Sequence, residues 1–574
     1  MTTSDDDYLD SALQHRADYI PLEQLLDETS NNGELFKKVH KELVNRALRT
    51  IVGPRGCGKT HMMRYAWLHC KSTSAMPFAI YVSFNRYFRL EPLLSSHPGA
   101  IQQFHSWVLA RVLIALKDCI DAWGTADNEG GAFIEPDFLL EQLSSFVSRI
   151  ERNQPLDEEN LVLSNSLSIE RVQSIIDRAR QQLGRKFTVL LMDDAALTLT
   201  PDYLIEFLDI IRSLKSTTIA PKASVYPGTT EVSPRFHQGQ DSIQIPVWIS
   251  INESQYDNIM KNIADKRIKG LETIPLDAQS MLRFASFGIP RAYLTMLDEY
   301  QRGDFNTAQQ GVNKIIKEHL EARIAEFRSL GKKIPKFEQI IIAGEKVING
   351  IAKEIKAFNE TLILKQEKEL TYGVREEELT PIVERMFKLL VEAGLVFDDG
   401  TVKHGTPARI YRRFIPHTSL LLSFRAFGAG AGGSIKQTLD AIAFKTTKHP
   451  LRKSLAKIST EVDLQTLDFS LPKCSFCDTR RLTDSQRFCH NCGHQLVDAS
   501  TFNQCLDTEI TSVPGLTEWQ RKQIGTQLQN LRTIRDYLAK QDPAADLLTV
   551  RGFGIRKTTK IIDILNGYVD DYLS

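Results

Sequence analysis

Short apolar runs alternate with helical patterns along the first half of the chain. Runs at residues 48–52, 187–192, 222–230 and 243–249 predict strands, and residues 61–67 begin a predicted helix. The run at 187–192 is apolar at almost every position, which is typical of a parallel strand buried on both faces. The pattern therefore predicts an α/β protein built on a parallel sheet.

The second half of the chain is dominated by charged, helical periodicity. Residues 308–371 predict long helices. A predicted helix at 378–393 is followed by a strand at 395–397, a turn at 398–400 and a second strand at 408–415. A helix followed by a β-hairpin is the outline of a winged helix.

Positive charge is concentrated on this predicted wing. The basic residues are Lys403, His404, Arg409, Arg412 and Arg413. Such charge could contact DNA phosphates. A solvated hairpin, or a winged helix that contacts protein, is the alternative interpretation.

Length and composition exclude several classes of protein for this chain. The chain has 574 residues, more than one hydrophobic core usually spans, so several domains are expected. Lys and Arg number 71, as do Asp and Glu, which excludes a uniformly basic surface and restricts nucleic-acid contact to local patches. No apolar run approaches the ~20 residues of a membrane span, and the acidic N-terminus is unlike a signal peptide. We expect a cytoplasmic protein that does not contact a membrane.

Residues 53–60 read Gly-Pro-Arg-Gly-Cys-Gly-Lys-Thr, a complete G-x-x-x-x-G-K-T phosphate loop. The loop lies between a predicted strand and a predicted helix, which is the context that this motif requires. Gly53, Gly56 and Gly58 let backbone N–H groups surround phosphates, and the helix N-terminus adds partial positive charge. Lys59 can reach the β- and γ-phosphates, and the Thr60 hydroxyl can bind Mg²⁺. The sequence therefore predicts a nucleotide site, with ATP and Mg²⁺ as its ligands.

A phosphate loop of this kind needs a second, acidic strand. The apolar run at 187–192 ends in Asp193 and Asp194. Asp193 would hold Mg²⁺ through water, and Asp194 would orient or deprotonate the attacking water. Buried strands with acidic ends also occur in other α/β proteins, but this one follows a phosphate loop by half the length of a domain.

Two further segments complete a resemblance to a known family. Residues 222–230 end in Thr229 and Thr230, and residues 286–294 read Ser-Phe-Gly-Ile-Pro-Arg-Ala-Tyr-Leu. Together with the phosphate loop and the acidic strand, they resemble the AAA+ ATPases of the origin-recognition and initiator type, and the related signal-transduction ATPases called STAND. The resemblance covers about residues 35–330.

The resemblance implies roles for several side chains. In those families a Gly-x-Pro-Arg turn in a helical lid carries the sensor-2 arginine, which contacts the γ-phosphate. This implies that role for Arg291 and a sensor-1 role for Thr229 or Thr230. An arginine finger acting on a neighbouring subunit is also implied, with Arg235 and Arg267 as candidates, although neither lies in a specific motif.

One position departs from the AAA+ pattern. Many AAA+ enzymes have Glu after the acidic-strand Asp, whereas this chain has Asp194, as STAND proteins often do. The shorter side chain changes where the attacking water is held. We therefore expect ATP hydrolysis, at a slow rate.

A cysteine cluster lies towards the C-terminus. Cys474 and Cys477 form one C-x-x-C pair, and Cys489 and Cys492 form a second pair that is followed by Gly493. Two such pairs can place four thiolates tetrahedrally around Zn²⁺, and they suit a reducing compartment better than a disulfide framework does. A structural zinc ribbon is predicted, because four thiolates leave no open position for catalysis. A redox C-x-x-C pair or another metal is the alternative.

Glycine and small residues fill the stretch at 427–434, which reads Phe-Gly-Ala-Gly-Ala-Gly-Gly-Ser. It lacks the Lys-Ser/Thr pair of a phosphate loop and has no clear parallel strand before it. We interpret it as a hinge and not as a second nucleotide loop.

The C-terminal tail contains a second resemblance. Residues 547–562 resemble a helix-hairpin-helix, and residues 513–517 resemble a worn first copy, with a predicted helix around 527–539 between them. In that family the hairpin glycines expose backbone amides to a DNA phosphate, which reads the backbone and not the sequence. The residues that this implies are Gly552, Gly554, Arg556, Lys557 and Lys560. Docking to a protein is the alternative.

These predictions divide the chain into seven segments. They are an N-terminal extension (1–34), a P-loop ATPase core (35–275), a helical lid (276–335), a winged-helix domain (336–426), a hinge and linker (427–470), a zinc ribbon (471–497) and a helix-hairpin-helix domain (498–574). The expected function is ATP-dependent engagement of DNA by a homo-oligomer in replication, mobile-element control or antiviral defence. Any reaction that cleaves a target molecule would be carried out by a separate effector protein. The alternative is a STAND-type sensor whose C-terminal modules bind protein and whose oligomerisation is gated by ATP.

Overall fold

The computed structural model describes most of the chain. The described residues are 17, 20–31, 33–84, 90, 99–123, 139–152, 154–196, 201–228, 241–333, 335–406, 408–428, 433–458, 464, 467, 473–474, 476–482, 486, 488–494, 496, 506–513, 516–540 and 542–573. Thr229, Thr230 and Arg235, which were predicted as sensor and finger candidates, lie outside them.

A five-stranded parallel sheet forms the centre of the N-terminal half, which confirms the α/β prediction. Its strands are β1 (Arg49–Val52), β2 (Phe78–Ser83), β3 (Thr188–Ala196), β4 (Ile219–Val225) and β5 (Ile243–Pro246). They are arranged in the order β2-β3-β4-β1-β5. Strand β4 therefore separates the strand before the phosphate loop from the acidic strand. The carboxyl ends of the five strands meet at one edge, where ligands of open α/β sheets bind.

Helices connect these strands and pack on the sheet. They are α1 (Leu22–Leu25), α2 (Glu34–Leu43), α3 (Lys59–Ser72), α4 (Ala100–Trp123), α5 (Leu140–Glu151), α6 (Glu158–Ser166), α7 (Ile169–Gln182) and α8 (Pro201–Leu214). Helix α4 buries Phe104 and Trp107 in the core around β2. Every residue of β4 is buried, including the polar Lys222 and Ser224, so β4 is a central strand although its sequence is not continuously apolar.

A helical region follows β5. Its helices are α9 (Tyr256–Arg267), α10 (Leu276–Ala285), α11 (Pro290–Arg302), α12 (Ala308–Lys333) and α13 (Glu338–Leu362). Helix α11 begins at Pro290, whose ring suits the first position of a helix because no intrahelical N–H is lost there. In the described segments, no helix has both the length and the apolar character needed to cross a bilayer.

A small antiparallel sheet follows α13, as the helix and hairpin pattern predicts. Its elements are β7 (Tyr372–Arg375), α14 (Pro381–Glu392), β8 (Val396–His404) and β9 (Arg409–Pro416), and the strand order is β7-β9-β8. The Phe387 ring of α14 stacks on Phe414 of β9 with ring centroids 4.2 Å apart. We call residues 338–416 the helix–hairpin unit.

Part of the segment predicted as a linker is structured. The elements from Pro416 onwards are α15 (Thr418–Ser423), α16 (Ile435–Ile442), β10 (Lys445–Thr446), which pairs with β6 (Glu367–Lys368), and α17 (Leu455–Ile458). Ser434 and Gln437 form a capping box that starts α16 directly after the glycine-rich stretch. The Gly373 amide donates to the Leu451 carbonyl at 2.8 Å. Residues 435–458 therefore return to the helix–hairpin unit instead of forming a linker.

The described residues of the C-terminal segment include a short 3-10 helix (Ile510–Ser512) followed by four α-helices. The four α-helices are α18 (Glu518–Gln527), α19 (Ile534–Ala539), α20 (Pro543–Leu548) and α21 (Ile555–Leu573). The prediction of one helix around 527–539 is wrong, because two capping boxes divide the region. Thr517 with Gln520 starts α18, and Thr533 with Asp536 starts α19.

Candidate nucleotide-binding site and accessory sites

The phosphate loop lies between β1 and α3, as the motif predicts. Gly56 and Gly58 adopt φ of 81° and 99°, in the left-handed region that side chains disfavour. Gly58 is also the residue that precedes the first turn of α3. The motif glycines thus allow the chain to turn tightly from the strand into the helix, which aims the N-terminus of α3 at the loop.

Lys59 is folded into the loop. Its Nζ donates to the Gly53 carbonyl at 2.7 Å and to the Pro54 carbonyl at 3.2 Å, and it lies 4.0 Å from the centre of the Tyr226 ring. Burial lowers the pKa of Lys59, while the nearby Asp194 and Asp193 carboxylates act in the opposite direction. An anionic ligand would stabilise this buried ammonium group in its charged form.

The two acidic residues at the end of β3 have different surroundings. Asp193 is buried, and its Oδ2 accepts a hydrogen bond from the Tyr81 hydroxyl at 3.0 Å. Its Oδ1 is buried without a hydrogen-bond partner in the described part of the chain. Asp194 has φ of 49° and lies where the pairing of β3 with β4 becomes irregular. This kink separates the two carboxylates: Asp194 lines the same cavity as the phosphate loop.

These oxygen atoms fit Mg²⁺. The unpartnered, buried Oδ1 of Asp193 is a hard anionic ligand, and Thr60 of the loop lines the cavity. Mg²⁺ prefers one or two such protein oxygens together with phosphates and water. Asp193 and Thr60 therefore stay the predicted ligands of Mg²⁺, and the oxygen atoms that they offer are compatible with that ion.

Arg291 reaches the phosphate loop from α11. Its amide donates to the Gly56 carbonyl at 3.3 Å, and Arg291 lines the cavity. A Cβ on Gly56 would lie 3.0 Å from the Arg291 Cβ, so glycine is needed for this close approach. The structure therefore places the predicted sensor arginine beside the loop.

The cavity has a volume of about 260 Å³, and much of its wall comes from outside the motifs. Apolar side chains in this wall are Leu35, Phe36, Ile249, Ile259, Ile263 and Leu294. Thr29 Oγ1 and His61 Nε2 lie 2.8 Å apart in the same wall, and burial lowers the pKa of His61 to about 4, which keeps the imidazole neutral. A wall that combines apolar side chains with fixed polar groups suits a nucleobase.

Arg267 belongs to this wall. Its side chain is nearly buried, and its Nε lies 3.1 Å from the Glu28 carboxylate. The geometry does not suit a finger that reaches a neighbouring subunit, nor a solvated arginine. Residues 17–33, predicted as part of an N-terminal extension, thus contribute Glu28 and Thr29 to the cavity.

The helix–hairpin unit is clamped onto the end of β4. Arg385 Nη1 donates to the Gly228 carbonyl at 2.6 Å, and Glu392 Oε2 accepts from the Gly228 amide at 2.8 Å. A Cβ on Gly228 would lie 2.8 Å from the backbone of Leu389. We call Arg385, Glu392 and Gly228 the α14 clamp. The clamp holds Gly228, which directly precedes Thr229 and Thr230, the predicted sensor-1 candidates.

Of the three predicted wing arginines, Arg412 and Arg413 are engaged in ion pairs. Arg412 Nη2 lies 2.5 Å from Asp398 Oδ2, and Arg412 Nη1 lies 3.3 Å from Glu384 Oε1. Arg412 also lines a cavity of about 440 Å³ between the sheet edge and α14. Arg413 Nη2 lies 3.3 Å from Asp399 Oδ2. DNA contact by these two residues stays a prediction, and their geometry favours a role within the unit.

The four clustered cysteines come together. Their sulfur atoms all lie within 4.8 Å of one another, with 3.6 Å between Cys474 and Cys492 and 3.5 Å between Cys477 and Cys489. Tetrahedral Zn–S bonds of about 2.3 Å require sulfur separations of about 3.8 Å, so the cluster fits a metal ion of this size. Hydrogen bonding with the Thr479 hydroxyl lowers the pKa of Cys477 to about 6, which favours a thiolate ligand.

Both cysteine pairs adopt the same turn. The Asp478 amide donates to the Cys474 carbonyl, and the Gly493 amide donates to the Cys489 carbonyl. Asp478 and Gly493, which directly follow the second cysteine of each pair, have φ of 55° and 70°. Glycine adopts this left-handed conformation without strain, and Asp478 shows that a short polar residue also serves.

Metal analysis of the purified chain should find about one Zn²⁺ per molecule, because one four-thiolate cluster holds one ion. Cys489→Ser should lose the metal and unfold the ribbon locally, since metal binding supplies most of the folding free energy of so small a unit. His490→Ala is the matched control, because His490 is exposed beside the cluster without belonging to it. An ordered ribbon without metal would contradict the prediction.

The C-terminal hairpin has an open tip. Gly552 has φ of 94°, and a Cβ on Gly554 would meet no atom within 4 Å. Lys557 and Lys560 are exposed on α21, and Arg556 lies in the same first turns, although its side chain is outside the described residues. Of the worn first copy, Val513, Leu516 and Thr517 are described.

Several site residues were not predicted from the sequence. Tyr226 and Tyr81 contact Lys59 and Asp193, and Arg385 and Glu392 form the α14 clamp. The apolar run at residues 78–84 was a detectable strand signal that would have placed Tyr81 beside β3. The others depend on contacts between distant parts of the chain, for which the sequence pattern carries no signal.

Comparison with known proteins finds a distant likeness to a solved structure. No protein-family model and no curated protein matches the chain. Among solved structures, a Walker-type ATPase of Pyrococcus abyssi is similar, with 14% sequence identity and a TM-score of 0.37 over 69% of this chain and 95% of that one. The assignment of function therefore depends on the geometry of the site itself.

Proposed function

We propose that this protein is a magnesium-dependent ATPase of the P-loop class. The observation that carries the proposal is the convergence on one cavity of Lys59, Asp194 and Arg291, which come from a loop, a strand and a lid helix. Such convergence of a phosphate loop, a carboxylate and an arginine suits the hydrolysis of a nucleoside triphosphate.

Each residue has a distinct role in this proposal. Lys59 binds the β- and γ-phosphates, and Arg291 contacts the γ-phosphate from the lid. Asp194 orients the attacking water and accepts its proton, so that phosphate and ADP are released. Asp193 and Thr60 would hold Mg²⁺, which neutralises charge on the phosphates. Phosphate release from ATP by the purified chain, with and without Mg²⁺, tests the proposal, and the absence of both binding and release would contradict it.

We further propose an AAA+ or STAND-like core joined to a winged helix, a zinc ribbon and a helix-hairpin-helix. The parallel sheet, the lid helices and the order of elements in the helix–hairpin unit support this architecture. In this proposal ATP sets the state of a homo-oligomer, and a separate effector protein supplies any further chemistry. Light scattering with and without ATP tests the assembly.

DNA is the proposed partner of the C-terminal domain. Residues 551–560 carry four positive charges and no negative charge, although the whole chain is neutral. The open space at Gly554 leaves room for a phosphate beside the hairpin backbone. A local basic patch on a neutral protein suits contact with a phosphate backbone.

Gly554→Val should weaken binding of both duplex and single-stranded DNA about 10-fold or more, because the new side chain blocks a charge-assisted contact. Lys557→Glu should do the same by repulsion, and wild-type affinity should fall steeply with salt. Gly428→Val is the matched control, since a Cβ there also meets no atom within 4 Å. Fluorescence anisotropy across salt concentrations measures these effects. Unchanged affinity in both hairpin variants would move the contact to the wing or the ribbon.

A STAND-type sensor that binds protein is the second candidate function. The α14 clamp and the paired wing arginines favour it, because they direct the helix–hairpin unit towards the nucleotide site. In this case wild-type protein would show no salt-dependent DNA affinity, while ATP binding would still control assembly.

A further inference from the structure

Trp519 is exposed, whereas the other tryptophans are shielded from solvent to a greater degree. Its side chain on α18 is 45% exposed, while Trp67, Trp107 and Trp248 are buried and Trp123 is partly buried. Tryptophan combines a large apolar ring with one polar N–H group, and it is enriched at binding interfaces for that reason. Trp519 therefore calls for a role outside the hydrophobic core.

The ring is held against the proposed phosphate-binding hairpin. A Cβ on Gly552 would lie 3.1 Å from the Trp519 ring, so the glycine allows the two to approach closely. The buried Phe553 lies beside it, with ring centroids 5.7 Å apart. These contacts fix the position of the indole, so that a planar partner would bind without ordering the ring first.

Positive charge accompanies the ring. Lys557 Nζ lies 4.7 Å from the centre of the Trp519 ring and also donates to the Gly552 carbonyl at 3.3 Å. Arg551 is exposed before the hairpin, and Lys522 is exposed one turn after Trp519 on α18. Aromatic rings interleaved with cations are the combination that binds single-stranded nucleic acids, because bases stack while phosphates are neutralised.

We propose that Trp519 is a stacking platform for an unpaired nucleobase, so that this domain prefers single-stranded or frayed DNA to intact duplex. The proposal depends on the proposed DNA binding by the hairpin and extends it from the backbone to the base. A phosphate bound at the hairpin draws Lys557 from the face of the ring, and the base beside that phosphate takes its place.

Affinity measurements with the full-length chain test the proposal. Trp519→Ala should lower the affinity for a fluorescein-labelled oligo-dT about 10-fold, the size expected for the loss of one stacked base. The affinity for a blunt duplex should change less than about 2-fold, because every base in it is already paired. Trp519→Phe should retain most of the oligo-dT affinity. Leu548→Ala is the matched control, because Leu548 is 44% exposed in the same domain.

Tryptophan fluorescence gives a readout of stacking that is separate from the loss of affinity in Trp519→Ala. Oligo-dT should quench the tryptophan emission, and this quenching should disappear in Trp519→Phe. Equal losses for oligo-dT and duplex in Trp519→Ala, or quenching that persists in Trp519→Phe, would overturn the stacking role.

The outcomes separate this inference from the proposed function. If Gly554→Val loses affinity for both DNA forms while Trp519→Ala loses neither, hairpin binding stands and stacking is wrong. If the wild-type chain binds no DNA, both are wrong, and the exposed ring belongs to a protein-binding surface.

Discussion

Replacing Lys59 by alanine is expected to abolish tight binding of ATP. The phosphate loop contains two cations, Arg55 and Lys59, and Lys59 is the one whose ammonium group is folded into the loop. Its removal eliminates charge-assisted hydrogen bonds worth roughly 1.5–3 kcal/mol each. We expect the affinity to fall at least about 100-fold, as measured by titration with a fluorescent ATP analogue. Lys71→Ala is the matched control, since Lys71 is exposed in the last turn of the same helix.

Asp194→Asn should separate binding from hydrolysis. The amide preserves the size of the side chain but cannot accept a proton from water, so the rate of hydrolysis should fall about 100-fold or more. ATP should remain bound, because Asp193 and Thr60 are unchanged. Wild-type rates of phosphate release in both Lys59→Ala and Asp194→Asn would show that the assigned site is wrong.

The parts of the site that the sequence predicts are those encoded by neighbouring residues. The phosphate loop carries its glycines, lysine and threonine in eight consecutive positions, and the structure places them between a strand and a helix. The cysteine pairs are likewise local, and their sulfur atoms converge. In both cases the spacing of the residues along the chain determines where their side chains lie in the structure.

The rest of the site depends on distant contacts. Glu28 meets Arg267 in the wall of the cavity, and Arg385 meets Gly228, and the two residues of each pair are far apart in the sequence. Neither contact is marked in the sequence by a motif or by a periodic pattern. The sequence alone therefore does not show which residues pair. Cap residues in the sequence mark both departures from the predicted elements: Thr533 begins α19 inside the stretch predicted as one helix, and Ser434 begins α16 within the predicted linker.

Gly288 of the lid motif shows most directly how one residue of the sequence determines the geometry of the site. The family resemblance identifies Gly-Ile-Pro-Arg as the lid motif, and the structure shows why its first residue is glycine. Gly288 has φ of 73°, and a Cβ there would lie 1.9 Å from the Ile249 carbonyl oxygen, just beyond the end of β5. Beside it, Trp248 Nε1 donates to the Phe287 carbonyl at 2.8 Å. Gly288 therefore sets the close packing of the lid turn on the segment that follows the sheet, and hence the position of Arg291.

Gly288→Ala is expected to displace the lid and to destabilise the core. The left-handed conformation costs about 1–2 kcal/mol for alanine, and the collision with the Ile249 carbonyl adds about 1–3 kcal/mol. Gly184→Ala is the matched control, because Gly184 has φ of 63° but a Cβ there meets no atom within 4 Å. The control should therefore show only the conformational cost. Urea unfolding followed by tryptophan fluorescence, to which the buried Trp248 contributes, compares the two variants.

The same variant should also weaken the contact of Arg291 with the γ-phosphate. Because Arg291 is held to Gly56 by its own backbone amide, a shift of the lid turn moves the guanidinium away from the phosphate loop. Gly288→Ala should therefore lose affinity for ATP to a greater extent than for ADP, whereas Gly184→Ala should lose neither. Equal stability of the two variants would mean that the lid turn relaxes without cost. If the two variants have the same ratio of ATP affinity to ADP affinity, Arg291 does not sense the γ-phosphate.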